Sequence, residues 1–305
     1  MDSKEIVFIG LGRMGAAMTA HLTEEGFTVH GSDVSEDARN AAAESGVTVH
    51  DSIEQAISAM DGRKIVWIMV PSKFVDDVLT EVQTQLNPGD IIIDGGNTFF
   101  KETLRRAEAA KASELHYVDC GTSGGVNCAR NGASLMVGGD MDVVQEIEDI
   151  FTTLAAPGGY ARVGSTGAGH FVKMVHNGIE YGMMGAIAEG MAFIEDDKHG
   201  LAIEPHEALK PYENGSIISS SLMSWLADAY KTPNYLEQIA GEVPRGETEM
   251  EMEYIVEQGE SPVLYAALLQ RKATREEPSR VGTLISAMRN QFGGHKTINK
   301  DGDQN

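Results

Sequence analysis

The chain has 305 residues, enough for two domains or one large one with a substantial core, and its 42% hydrophobic content is ordinary for a globular protein. Forty-six Asp and Glu against 24 Lys and Arg leave a formal net charge of −22. That balance argues against nucleic acid and anionic membranes as partners, and any anionic substrate must be met by its own local cluster of cations.

The acids are spread along the chain, as in "EMEMEYIVEQGE" (249–260), rather than gathered in a tail, which suggests adaptation to high salt. Two cysteines, Cys120 and Cys128, are too few for a disulfide framework or a zinc cluster. The longest apolar run, Ile65 to Val70, is too short to span a bilayer, and no charged-then-apolar leader precedes "MDSKEIVFIG", so a soluble cytoplasmic protein is expected.

In chain order, "EIVFIG" reads as a strand and Arg13 to Glu25 as a helix; "TVHGSD" is a second strand and Glu36 to Ser45 a second helix. "KIVWIMV" and "DIIIDGG" are fully apolar strands, separated by the helix-like Phe74 to Leu86 and by Pro88-Gly89, and "LHYVDC" and "ASLMVGG" are further strands. This alternation predicts a parallel sheet covered on both faces. At "GSTGAGH" the pattern changes. Beyond it no strand is expected: Gly167 to about Lys198 reads as one long helix, and further helices are broken at Pro205, Pro211, Pro233, Pro244 and Pro262, before a disordered "NKDGDQN". The expectation is an α/β Rossmann-type dinucleotide-binding domain over 1–165 and an all-α domain with a long central helix over 166–305, the latter for substrate binding and dimerisation.

"GLGRMG" places Gly10, Leu11, Gly12, Arg13, Met14 and Gly15 directly after the first strand and at the start of a helix. The three glycines provide a tight turn, close backbone approach to a pyrophosphate, and close helix-on-strand packing, while the helix N-terminus offers free N–H groups to phosphate. Asp33 closes the second strand and is expected to hold the ribose hydroxyls, which favours NAD, because a 2′-phosphate would meet its carboxylate as like charge. Arg39 could soften that exclusion, and a plain helix cap before Ser35 is the other reading of Asp33. Val70, at the end of the "KIVWIMV" strand, is a further cofactor candidate.

"GHFVKMVHNGIEYGMM" (169–184) reads as a helix expecting burial, yet Lys173, His176, Asn177 and Glu180 share one face, with Tyr181 at its edge. A buried structural Lys–Glu pair would explain this. So would an active site, in which a lysine of lowered pKa takes the proton of an alcohol undergoing hydride transfer and Glu180 serves a second proton transfer.

Together, "GLGRMG", "DCGTSGGVNCARNGASLMVGGD" (119–140), the spacing of Lys173 and Asn177, and "MRNQFGGH" (288–295) resemble the short-chain form of 6-phosphogluconate dehydrogenase, within the β-hydroxyacid dehydrogenase superfamily, from end to end. The resemblance implies a metal-independent oxidative decarboxylation of 6-phosphogluconate, with Lys173 as general base and later acid, and Glu180 as the acid that completes the reaction. It implies substrate contacts from Asn97 (also beside the cofactor), Ser123, Gly124, Gly125, His176 and Asn177, and a phosphate pocket of Tyr181, Arg271, Arg289 and His295. It also implies a homodimer or homotetramer, in which the Arg and His of the tail complete a neighbour's pocket. Two stretches depart from the family pattern. "VPRGETEMEME" replaces a "GRWT"-like segment, leaving Arg245 a loose candidate, and "SDVSED" replaces an Asn-Arg-Thr that grips the NADP phosphate, so NAD is implied over NADP. Two alternatives remain open: a β-hydroxyacid dehydrogenase for an unphosphorylated acid such as 3-hydroxyisobutyrate, which has no use for Arg289 and His295, and a non-catalytic NAD-binding sensor.

Overall fold

The apolar runs of the first half become the buried centre of a sheet. In the computed structural model, which describes residues 4–246 and 248–300, the chain runs through β1 (Glu5–Ile9), α1 (Arg13–Glu24), β2 (Thr28–Ser32), α2 (Glu36–Glu44), β3 (Thr48–His50), α3 (Ile53–Ala59), β4 (Ile65–Ile68) and, after a 3₁₀ turn at Ser72–Phe74, α4 (Val75–Gln83). It continues with β5 (Ile91–Asp94), α5 (Phe100–Ala112), β6 (His116–Ser123), α6 (Gly125–Asn131), β7 (Ala133–Gly138), α7 (Met141–Glu146), α8 (Glu148–Leu154) and β8 (Ala155–Gly164). The strand order is β3-β2-β1-β4-β5-β6-β7-β8. β4 and β5 are buried along their whole length, as is all of β1 except Glu5. Phe8 stacks on Trp67 across the β1–β4 pair at 5.5 Å. Each such side chain withdrawn from water contributes about 1.5–3 kcal/mol. Between β1 and β4 the strand order reverses, the crevice where open α/β sheets bind ligands.

The second unit is helical. The division falls between Met174 and Val175, inside the 28-residue α9 (Ala168–Glu195). After it come α10 (Pro205–Glu213), α11 (Ser221–Lys231), α12 (Tyr235–Gln238), α13 (Glu249–Gln258), α14 (Pro262–Glu276) and α15 (Arg280–Gly293). Met184, Ala188, Leu222, Leu226, Leu284 and Met288 form its main core, and Tyr181, Met252, Ala267 and Leu268 a smaller one.

The structure departs from the sequence expectations at several points. The sheet is not wholly parallel: β7 returns antiparallel to β6. Only nine residues separate Ser123 from Ala133, too few for a parallel crossover, which needs a dozen or more. β3, α3, α5, α6, α7, α8 and β8 are elements that the apolar pattern did not announce. Pro211 lies inside α10 instead of breaking it; the helix ends two residues later, so only the last turn loses a backbone bond. Segment 169–184 is not buried all round, for Phe171, Val175, Ile179 and Met183 form an exposed stripe at four-residue spacing. Of the tail expected to be disordered, Asn299 bridges to Ile239 and the Lys300 N–H donates to the Gln238 carbonyl, while 301–305 lie outside the described residues.

Candidate functional site

The glycine turn is dictated by its neighbours. Gly10 has φ 98°, and a Cβ there would stand 2.3 Å from the Met69 carbonyl oxygen and 2.9 Å from Val70 Cγ1. The loops after β1 and β4 can therefore meet only if this residue is glycine. A Cβ on Gly15 would stand 2.0 Å from the Gly10 oxygen, so α1 also packs directly on the turn. Gly12 is different: it is the N-cap of α1, makes no side-chain cap, and has open space where a Cβ would be. The first N–H groups of α1, beginning at Arg13 and Met14, thus carry the positive end of the helix dipole without a capping side chain. Leu11 is buried beneath the turn. Its N–H donates to Asp33 Oδ2 at 2.7 Å, and the Ser35 N–H donates to Oδ1 at 2.8 Å. Asp33 is not the cap of α2, because Ser35 holds that position and accepts from the Ala38 N–H. Arg39 is tied to the Asp33 carbonyl at 2.7 Å and lies 3.4 Å from Asp51. A turn open above a helix N-terminus, with a carboxylate at the end of the adjacent strand, fits a dinucleotide.

Further along the same sheet edge, the buried Asp94 at the end of β5 accepts from Tyr117 Oη at 2.9 Å and from the Gly96 N–H at 3.2 Å. Thr98 Oγ1 adds a longer bond of 3.4 Å. These bonds shape the turn that presents half-buried Asn97. Burial and the facing Asp94 carboxylate push the Tyr117 hydroxyl pKa well up, so this phenol stays a donor. At the end of β6, Gly124 and Gly125 have φ of 114° and 69°, and half-buried Ser123 precedes them. Lys173 is half-buried, and its Cβ sits where a Cβ on Gly121 would be only 2.5 Å away.

α9 carries Lys173, His176, Asn177, Glu180 and Tyr181 in one unbroken helix. Lys173 and Glu180, seven residues apart, are separated by a rise of about 10 Å. His176 Nδ1 lies 3.9 Å from Glu180 Oε2 and 3.4 Å from Asn177 Oδ1. In the second unit Tyr181 packs its ring against Arg271, whose guanidinium carbon is 3.3 Å from the ring centroid, and its hydroxyl pairs with Thr248 Oγ1 at 2.8 Å.

Arg271 and Arg289 are 3% and 8% exposed. Burial pushes the Arg271 guanidinium down to about 10; Arg289 adds to the fall, while Tyr181 and Glu180 oppose it. Burial also lowers Arg289, against Tyr181, Glu180 and Glu249. Arg289 donates to the Pro244 carbonyl at 3.2 Å and Arg271 to Met184 Sδ at 3.7 Å, while Arg271 Nε is buried without a hydrogen-bond partner. Two buried cations so supplied suit an anion. His295 is not buried with them: it is exposed beyond the C-cap Gly294 of α15, edge-on to Phe292.

The acidic segment holds what sequence reading missed. Glu249 and Glu251 are not surface acids but 3% exposed. Glu249 accepts a two-pronged bond from Arg275 at 2.8 and 3.0 Å, and Glu251 accepts from Asn177 Nδ2 at 3.3 Å. Arg245 is 65% exposed and lies 3.6 Å from Glu249 and 3.8 Å from Glu253. No local signal marks them, because on a helix the alternation of Glu with Met over 249–252 does not separate buried from exposed positions: Met250 is exposed and Met252 buried.

The family model for the NAD-binding domain of 6-phosphogluconate dehydrogenase matches residues 5–170, and that for its C-terminal domain matches 169–198. The chain belongs to the 6-phosphogluconate dehydrogenase family. It is 37% identical to YqeC of Bacillus subtilis over 298 residues, covering 97% of this chain and 100% of that one. It is 35% identical to the NAD(+)-dependent, decarboxylating 6-phosphogluconate dehydrogenase of Haloferax volcanii, over 96% of this chain and 98% of the relative. Among solved structures it is similar to Plasmodium falciparum 6-phosphogluconate dehydrogenase, with TM-score 0.79 and 26% identity, covering 96% of this chain and 66% of that one. Mycobacterium tuberculosis 3-hydroxyisobutyrate dehydrogenase, with TM-score 0.69 and 22% identity over 94% and 99%, shares the fold. As a family member the chain is an oxidoreductase with a nicotinamide-dinucleotide domain. Among the described residues no helix is long and apolar enough to cross a membrane, and no group of three or more His, Cys, Asp or Glu could hold a metal ion.

Proposed function

We propose that the chain oxidatively decarboxylates 6-phospho-D-gluconate to D-ribulose 5-phosphate and CO2, with NAD preferred over NADP. The observation that carries this reading is the buried Arg271–Arg289 pair beside Tyr181 and Glu180, a cationic pocket inside an otherwise anionic protein. The guanidiniums hold the phosphate, His176 and Asn177 bind the carboxylate end and hydroxyls, and Asn97 with the Ser123–Gly125 turn completes the grip. His295 would join the phosphate pocket from the tail.

In this reading Lys173 Nζ takes the proton of the 3-hydroxyl as hydride departs from C3. Bound on the glycine turn, the oxidised nicotinamide would supply the acceptor for that hydride. The product is a β-keto acid. The Lys173 ammonium, now protonated, polarises the 3-keto oxygen and gives its proton to the enolate oxygen as CO2 leaves. Glu180 then protonates the carbon that lost the carboxylate, which becomes C1 of ribulose 5-phosphate, while the neutral Lys173 amine takes back the enol O–H proton to give the ketone. The ammonium does the polarising, so this sequence needs no metal. Preference for NAD is supported by the Asp33 carboxylate on the ribose side and by Arg39 being engaged with the Asp33 carbonyl and Asp51.

A homodimer or homotetramer suits the exposed apolar stripe of α9. Adaptation to high salt is supported by the net charge, and the melting temperature should then rise with KCl; full stability in dilute buffer would oppose it. A second reading, oxidation of an unphosphorylated hydroxyacid, is favoured by one observation, the buried Glu249 acting on Arg289, which lowers the pocket's net positive charge. The deciding experiment incubates the protein in high salt with 6-phosphogluconate and NAD or NADP, following reduced cofactor and CO2 together. Equal yields of both are expected. Reduced cofactor without CO2, or turnover only with unphosphorylated acids, would overturn the reading.

A further inference from the structure

Asp119, in the middle of β6, is fully buried and grips the start of α9. Its Oδ1 accepts the Gly167 N–H at 2.6 Å and its Oδ2 accepts the His170 N–H at 2.8 Å. A helix start leaves four backbone N–H groups without partners. Here a carboxylate from the sheet, rather than a local N-cap residue, takes the His170 donor and the Gly167 N–H just before the helix. Its charge also lies at the positive end of the helix dipole.

The same turn is fastened on other sides. Thr103 Oγ1 on α5 pairs with His170 Nδ1 at 2.7 Å, and Thr166 Oγ1 donates to the Tyr117 carbonyl at 3.1 Å. Three glycines allow the approach. A Cβ on Gly169 would stand 2.4 Å from the Met136 oxygen and 2.7 Å from the Asp119 oxygen; one on Gly138 would stand 2.5 Å from Asp119 Oδ1; one on Gly121 would stand 2.5 Å from Lys173 Cβ. Residues 119 and 121 lie on one face of β6. The first grips residues 167 and 170 and the second abuts residue 173, so the strand fixes both the start of the helix and the lysine one turn further on.

We infer that Asp119 is a positioning residue for Lys173: by locking the first turn of α9 onto β6 it sets where the amine stands along the sheet edge. This rests on the reading of Lys173 as the base. Chemistry at a proton-transfer group tolerates little displacement, and a shift of about 1 Å can cost about 10²-fold in rate.

The test measures kcat and KM in D119N, G121A and K173M. Asp119→Asn keeps the side chain's size but turns an NH2 toward one of the two helix N–H groups. Gly121→Ala presses on the Lys173 Cβ from the strand. Both are expected to lower kcat by about 10- to 100-fold with the KM for NAD within about twofold, since the glycine turn is untouched. Wild-type kcat in both variants, or an unchanged kcat with a raised KM for NAD, would overturn the role. If D119N does not fold, by circular dichroism and NAD binding, G121A decides. Turnover surviving in K173M would defeat the reading of Lys173 itself, whereas an inactive K173M beside wild-type D119N and G121A would defeat only the role of Asp119.

Discussion

The first unit offers a ligand its backbone, through Gly10, Gly12, Gly15, Gly124 and Gly125 at positions where a side chain would clash, occlude a helix end or meet a left-handed φ. The second offers side chains taken out of water, Arg271, Arg289, Tyr181 and Asn177, each held by an aromatic face, a carbonyl, a hydroxyl or an acid. A backbone grip fails when atoms are added and is nearly indifferent to pH. A buried-charge grip fails when atoms are removed, because the groups left behind lose their compensation. The two units should therefore respond to different substitutions.

The largest effect is expected at the lysine. Lys173→Met should lower kcat by about 10²- to 10⁴-fold, the usual contribution of a general acid–base group, while NAD binding measured by fluorescence titration stays unchanged. Arg289→Ala should follow, with kcat/KM for 6-phosphogluconate falling by about 2–4 kcal/mol and NAD affinity intact; an equal loss toward an unphosphorylated hydroxyacid would remove the arginine from substrate recognition. Asp33→Asn should weaken NAD about tenfold and narrow the gap to NADP, since it removes a charge-assisted acceptor; titrating both cofactors checks it.

The smallest effect concerns stability. Arg106 and, after it, Arg105 hold the Asp76 carboxyl at about 2, below its ordinary 3.8, against the opposing effect of partial burial. A depressed carboxyl stabilises fully above the unfolded value and loses that contribution as pH falls through about 2. Asp76→Asn should therefore flatten the melting curve between pH 4 and pH 2. Asp76 is half exposed, so solvent screening limits the effect to under about 1 kcal/mol.

What was legible followed from local pattern. β1, β4 and β5 are continuous apolar runs, and the glycine turn with Asp33 sits between neighbouring elements, so composition over a few residues sufficed. β8 was not legible, because "AAPGGYARVG" reads as loop and becomes a strand only by pairing with β7. α5 hid behind a largely polar composition, in which even a buried position is taken by a charged residue, Arg106. The acid that orders α9 could not be seen either: the partners of Asp119 lie 48 and 51 residues away, and no local spacing encodes that. The arginines of α14 and α15 were found only through family resemblance, since their helical periodicity does not distinguish a buried cation from a surface one.

The sheet's two flanks carry one last consequence. At one side β3 is three residues long; at the other, β8 carries near its start Pro157, which has no N–H to donate, and Gly158 at φ 74°. A short strand at one rim, and a proline and a left-handed glycine at the other, reduce the rungs on which a foreign strand could align. Strand addition at either side of this sheet is thus disfavoured by backbone geometry, separately from any electrostatic repulsion.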